Sequence, residues 1–322
     1  MRILVIGTGV IGTTYAWQLS GIGCELTHYV RKGKKDFYEK EGIEIECLDT
    51  RHSKSTENRV HYMPKFIDNP KLLSEYDLIL VSVGSDQLVP VLELLKENSQ
   101  GVDVFFLQNI RPGEEKFIEQ YLKPTQYFFG YPFKAGGGKE DNVIRCVIFG
   151  NSFTNTMLGE KDGRKSERLN KIYTLIKTAK LNPKVTTKII PYIRCHYVWA
   201  ATILGAYAKA GTYEKLVCNK EIMRQLYIGM REAFETCRAE SINPARIAPT
   251  SYYYFPLFLL VPFSQKLFDS EDMKRMFEGH VSGSPEEMET MYYDILEAGE
   301  KYGIDMPVYK SFKDSFDRLL NI

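Results

Sequence analysis

The six residues Gly7-Thr8-Gly9-Val10-Ile11-Gly12 follow directly on the apolar run Arg2-Ile3-Leu4-Val5-Ile6, and they restrict the fold more than any other stretch of the chain. A strand that turns on glycine into a helix is the arrangement that brings backbone against a pyrophosphate. Gly7 permits the turn, Gly9 leaves room for close approach, and Gly12 lets the helix pack on the strand while its first N–H groups face the anion. Residues 10–22 alternate apolar and polar positions in a helix-compatible way. The spacing therefore predicts a dinucleotide site at Gly7, Thr8, Gly9, Val10, Ile11 and Gly12. The bland alternative is a strand-to-helix turn that happens to use three glycines.

Length and charge set the frame around this turn. A chain of 322 residues accommodates two domains. Its 42 basic and 41 acidic residues nearly cancel, which gives no bulk electrostatic reason to expect nucleic acid or an anionic membrane as partner. Cys24, Cys47, Cys146, Cys195, Cys218 and Cys237 lie far apart with no C-x-x-C pair, and the five histidines are scattered. That pattern predicts reduced thiols, no metal site and a cytoplasmic setting. No signal peptide is expected ahead of the first strand. Residues 252–263, Tyr-Tyr-Tyr-Phe-Pro-Leu-Phe-Leu-Leu-Val-Pro-Phe, are the one strongly apolar segment. They fall short of the roughly 20 residues a membrane span needs and are broken by Pro256 and Pro262, so a buried helix or a subunit contact in a homodimer is expected.

Along the chain, residues 25–30 predict a second strand ending at Arg31-Lys32-Gly33-Lys34-Lys35. In dinucleotide folds the residue about 20 beyond the glycines meets the adenine ribose, where an acid suits the 2′-hydroxyl of NAD and a guanidinium the 2′-phosphate of NADP. Arg31 and Lys32 at this place, with no carboxylate before Asp36, predict NADP(H); the alternative is a solvated basic loop. Residues 41–65 predict short strands or a hairpin beside the sheet. The apolar run 76–83 predicts a central parallel strand ending at Gly84, and 102–107 another ending at Gln108-Asn109, both ends on the edge where ligands of open α/β folds bind. Residues 127–133 and 143–149 predict further strands around a glycine-rich turn, Lys134-Ala135-Gly136-Gly137-Gly138-Lys139, whose lysines could contact a phosphate or carboxylate. A helix over 166–180 and a strand over 184–190 complete a first domain, 1–190. Helical segments around 192–210, 219–239, 286–302 and 308–320 make up a second, 191–322. The expected class is thus α/β, an N-terminal Rossmann-type parallel sheet with a mostly helical C-terminal domain.

The chain resembles the ketopantoate reductase (2-dehydropantoate 2-reductase) family in Gly7, Gly9 and Gly12, in Arg31, in residues 77–83 with Gln87 beyond, in Asn109, and in the tail Gly303-Ile304-Asp305-Met306-Pro307. The resemblance implies that Gly7–Gly12 holds the pyrophosphate and Arg31 the 2′-phosphate. It places Asn109, and Glu287 counted back from the tail, near the nicotinamide and a small-molecule carbonyl substrate. This chain departs from the family in having Gly84 where a lysine is usual, and in the first helix of the second domain. There the family carries a catalytic lysine and two asparagines on one face, and alignment on Ile193-Arg194 puts Ala200, Leu204 and Ala208 at those places. Ketone reduction needs a proton donor as well as a hydride, so His196, Tyr197 and Lys134 become candidates beside Glu287. The resemblance implies an NADPH-dependent reductase of a 2-keto acid such as 2-dehydropantoate or a related carbonyl. The loss of polar residues leaves a non-catalytic NADP(H)-binding sensor or partner-binding protein as the alternative; a membrane-attached reductase rests on residues 252–263 alone.

Overall fold

A computed structural model describes residues 1–283 and 285–320. The chain divides into two compact units, one of Met1–Asn109 with Gly113–Ile190, the other of Ile110–Pro112 with the residues from Pro191 on. The first is built on β1 (Arg2–Ile6), α1 (Val10–Ser20), β2 (Glu25–Tyr29), α2 (Lys35–Glu41), β3 (Ile43–Asp49), β4 (Thr56–Tyr62), β5 (Lys65–Ile67), β6 (Leu78–Val81), α3 (Ser85–Asn98), β7 (Val104–Leu107), α4 (Glu114–Ile118), β8 (Tyr127–Pro132), β9 (Ala135–Glu140), β10 (Val143–Ile148), β11 (Thr156–Gly159), α5 (Glu167–Thr178) and β12 (Pro183–Val185).

Eight of these strands form one sheet in the order β12-β11-β8-β7-β6-β1-β2-β5. All neighbours pair in parallel except β8 and β11. The central strands carry almost nothing but Ile, Leu, Val and Phe and, Arg2 apart, are buried, as a parallel sheet covered on both faces requires. Parallel pairing of β1 with β6 and β6 with β7 puts Gly7, Gly84 and Asn109 along one carboxyl edge.

A second sheet, β4-β3-β10-β9, lies against α1 through β9 and β10. It contains β3 and β4, the antiparallel pair within the strands or hairpin expected over 41–65, and it corrects the reading of the glycine run. Ala135–Glu140 is a strand paired antiparallel with β10, and the reversal comes after it, at Asp141 with φ +51°. Glycine is needed here for close approach: Gly137 sits at φ +138°, and a Cβ on it would stand 2.1 Å from the Arg145 carbonyl oxygen. The strand expected over 184–190 is also shorter. It stops at Val185, and helix starts at Ile189, because Pro191 is tolerated in a first helical turn, where its missing N–H is an orphan anyway.

The second unit is helical: α6 (Ile189–Ala210), α7 (Tyr213–Cys218), α8 (Lys220–Ala239), α9 (Leu257–Phe268), α10 (Glu271–Gly283), α11 (Pro285–Tyr302), α12 (Pro307–Lys310) and α13 (Lys313–Leu320). α6 is apolar nearly all round and correspondingly buried. Gly229 on α8 admits the α12 backbone at Tyr309, and Glu232 one turn on accepts the Val308 and Tyr309 N–H groups at 2.9 and 3.0 Å. Of the two arrangements expected of residues 252–263, a buried helix or a subunit contact, the first is not formed. α9 buries the stripe Leu260, Val261, Ser264 and Phe268 and leaves Phe258, Leu259 and Phe263 more than half exposed, with Tyr252 and Phe255 beside them. Among the described residues no helix is long and apolar enough to cross a membrane.

Candidate active site

The three glycines of the turn do separable work. Gly7 has φ +119°, and a Cβ there would lie 2.1 Å from the Ser82 carbonyl oxygen at the end of β6. A Cβ on Gly12 would stand 3.1 Å from the Gly7 carbonyl oxygen and 3.3 Å from the Val5 side chain, so the glycine permits the helix to close on the strand. A Cβ on Gly9 would meet no protein atom within 4 Å. Gly9 is extended, at φ −80° and ψ −178°, and no side chain caps α1. The first N–H groups of α1 are therefore left for an outside acceptor, over an open cradle, which fits a pyrophosphate.

Beneath the turn, the buried His28 Nδ1–H donates to the Gly7 carbonyl at 3.3 Å, while Tyr62 and Phe66 enclose the ring. Burial, seconded by the positive charge of Lys139, pushes its pKa down to about 4. The folded value lies below the unfolded one, so the unfolded chain takes up the proton first as pH falls. Stability supplied by the neutral ring is whole above the unfolded value of 6.5 and is lost on the way down to about 4. At about 1.4 kcal/mol per unit, about 3 kcal/mol should go over that window. Urea unfolding of the wild type and His28→Gln at pH 7 and 4.5 should show a smaller pH loss in the variant; equal slopes would refute it.

At the end of β2, Arg31 and Lys32 are exposed. Lys35 is tied to Glu39 at 2.8 Å, whereas the Arg31 guanidinium has no carboxylate partner among the described residues. On α2, Tyr38 Oη lies 3.1 Å from Thr8 Oγ1, with its ring stacked on Phe66. Along the carboxyl edge, Gly84 caps the start of α3. Gln108 Oε1 accepts the Val83 N–H at 3.2 Å, tying the ends of β6 and β7 together just before the half-buried Asn109.

Lys134 lies just ahead of β9, beside the Asp49–Arg51 ion pair. Its side chain is buried, Nζ donates to the Asn151 carbonyl at 3.2 Å, and burial next to the Asp49–Arg51 ion pair lowers its pKa to about 8. It precedes β9, whereas Lys139 at the other end of that strand donates to the Thr8 carbonyl at 2.9 Å. The two lysines are about 17 Å apart along the strand. Both lysines flank the glycine run in sequence, and only the strand's direction decides that Lys139 is the one that meets the glycine turn.

The other candidates belong to the helical unit. Tyr197 on α6 donates to Asp294 Oδ2 at 2.6 Å, and Asp294 is gripped bidentately by Arg111 at 2.9 and 2.6 Å. Neither Arg111 nor Asp294 was singled out from the sequence, since nothing local pairs residues 183 apart. One turn beyond Tyr197 comes Ala200, followed on the same face by the buried Leu204 and Ala208. The His196 ring packs between Tyr192 and Trp199, and burial pushes its pKa down to about 3. At neutral pH it therefore has no imidazolium proton to give. Glu287 lies half-exposed in the first turn of α11, next to the buried Met288.

Residues 3–155 match the family model described as ketopantoate reductase PanE/ApbA. A 2-dehydropantoate 2-reductase from Listeria monocytogenes serovar 1/2a (strain ATCC BAA-679 / EGD-e) is 27% identical over 110 residues, 34% of this chain and 35% of that relative. The match thus spans about a third of the relative's length. Two solved structures cover nearly everything. The 2-dehydropantoate 2-reductase from Geobacter metallireducens GS-15 has a TM-score of 0.74 at 17% identity over 99% of both chains. A ternary complex of D-mandelate dehydrogenase with NADH and anilino(oxo)acetate has a TM-score of 0.71 at 17% identity over 100% of both. At such identities the likeness shows the fold alone.

Proposed function

We propose, from the match of residues 3–155 to the family model described as ketopantoate reductase PanE/ApbA, that this chain is an NADPH-dependent reductase acting on a 2-keto acid such as 2-dehydropantoate or a related carbonyl. The observation that carries the cofactor is the pairing of the open Gly9 cradle with an exposed Arg31 that has no carboxylate partner among the described residues. When bound, the reduced nicotinamide supplies the hydride. Gly9, Val10 and Ile11 N–H groups hold the pyrophosphate, Arg31 and Lys32 hold the 2′-phosphate, and Gly84 and Asn109 flank the nicotinamide end. NADH, the cofactor in the D-mandelate dehydrogenase complex, is the rival. Arg31→Gln is expected to weaken NADPH binding on the order of 10- to 100-fold and leave NADH binding alone. Equal effects on the two by fluorescence titration would remove Arg31 from the 2′-phosphate.

The proton is assigned to Glu287. The Tyr197 hydroxyl donates its hydrogen bond to Asp294, and releasing its proton to a substrate would leave a phenolate against that carboxylate. Tyr197, Asp294 and Arg111 act instead as a brace on α6. The half-exposed Glu287 would stand as the general acid beside the reacting carbonyl, with water as the source of its proton. With Ala200, Leu204 and Ala208 presenting no polar group, the substrate is expected to be less polar than one bearing both carboxylate and hydroxyl. The same three residues favour one other reading, an NADP(H)-binding protein without turnover. NADPH oxidation with 2-keto acids of increasing side-chain size decides: turnover with any of them excludes that alternative, and binding without oxidation across the series establishes it.

A further inference from the structure

We infer that Lys139, carried to the glycine turn by the second sheet, is a cofactor-binding residue that pairs with the pyrophosphate of the dinucleotide. The inference rests on the dinucleotide reading and adds to it a residue far outside the glycine motif. A pyrophosphate diester brings two negative charges, while a helix N-terminus offers about half a positive charge. No basic side chain lies in the first turn of α1, which reads Val10-Ile11-Gly12-Thr13. The deficit must be met from elsewhere in the fold.

Lys139 is placed to meet it. Its Nζ donates to the Thr8 carbonyl at 2.9 Å and lies 3.4 and 3.5 Å from Thr8 Oγ1 and Tyr38 Oη. All three are neutral oxygens, so its N–H groups are satisfied while its charge is not. Among the described residues it has no carboxylate partner, and the adjacent acid, Glu140, is engaged by Arg145. The Thr8 carbonyl and the Gly9 N–H belong to one peptide group, so the ammonium stands one peptide away from the amides that face the anion. The charge is felt at the turn already, where it adds to the forces holding His28 neutral under Gly7. The glycines of β9 make this reach feasible, because a strand nearly bare of side chains can lie close against α1. The flexible four-carbon stem lets the ammonium turn from Thr8 to a phosphate without moving the strand.

Calorimetric titration of the full chain with NADPH, NADH, ADP-ribose and adenosine 2′-monophosphate tests this. Lys139→Ala should weaken NADPH, NADH and ADP-ribose alike, by about 10-fold, and leave adenosine 2′-monophosphate unchanged, while Lys139→Arg should stay within about 3-fold of wild type. Lys139→Met, which keeps the aliphatic stem, should repeat the Lys139→Ala pattern should truncation to alanine disturb the fold. A loss confined to NADPH and adenosine 2′-monophosphate would assign Lys139 to the 2′-phosphate and overturn the inference, as would unchanged affinities. A wild type that binds none of the dinucleotides would instead overturn the cofactor reading itself, before any variant is compared.

Discussion

Gly9→Ala is expected to keep the wild-type melting temperature within about 1 °C while weakening NADPH binding on the order of 100-fold, and Gly7→Ala to lose stability outright. The added methyl at Gly9 meets no protein atom within 4 Å and the backbone there is ordinary extended chain, so nothing in the folded protein resists it. It would instead occupy the space through which a phosphate approaches the first amides of α1. The methyl at Gly7 faces the Ser82 carbonyl oxygen at 2.1 Å, on a backbone at φ +119°. Strain of about 1–3 kcal/mol from the dihedral and a comparable cost of moving β6 then add. Thermal melts with fluorescence titrations separate the two effects. A Gly9→Ala variant that bound NADPH normally would mean that the open cradle is not where the pyrophosphate sits.

This division of labour within one motif also marks what a sequence can convey. The Gly7–Gly12 turn, the strands at 2–6, 25–30, 76–83 and 102–107, and the helical character beyond Pro191 are local patterns, set by glycine conformation and by apolar runs long enough to be unambiguous. The glycine run at 136–138 was ambiguous because glycine serves both a sharp turn and a close approach. Only the pairing of β9 with β10, which pins Gly137 against Arg145, tells them apart. Lys139 and Thr8 are separated by 131 residues, and Arg111 and Asp294 by 183, so neither contact leaves any local trace in composition or periodicity. His28 reads as one more polar position on an alternating strand, and its burial under Gly7 comes from Tyr62 and Phe66, which arrive with β4 and β5. The resemblance could name Glu287 by counting from the tail. It could not show that the Tyr197 hydroxyl donates its hydrogen bond to Asp294.

That last distinction yields the second large effect. Glu287→Gln is expected to lower kcat by about 100-fold or more, the usual contribution of a positioned general acid, with NADPH affinity unchanged. Tyr197→Phe should do the opposite. It removes a hydrogen bond to a carboxylate, worth about 1.5–3 kcal/mol of stability, and leaves Asp294 still held by both nitrogens of Arg111, so kcat should fall less than about 10-fold. Glutamine preserves the shape and hydrogen-bonding capacity of Glu287 and removes only the transferable proton, and phenylalanine preserves the packing of Tyr197 within α6. The comparison therefore isolates chemistry from folding in both units of measurement, rate and melting temperature. Should Tyr197→Phe abolish turnover while Glu287→Gln spares it, the proton would belong to the phenol. Arg111 would then have to compensate two adjacent anions, a demand that lowering the salt concentration should make visible in the pH profile of the wild type.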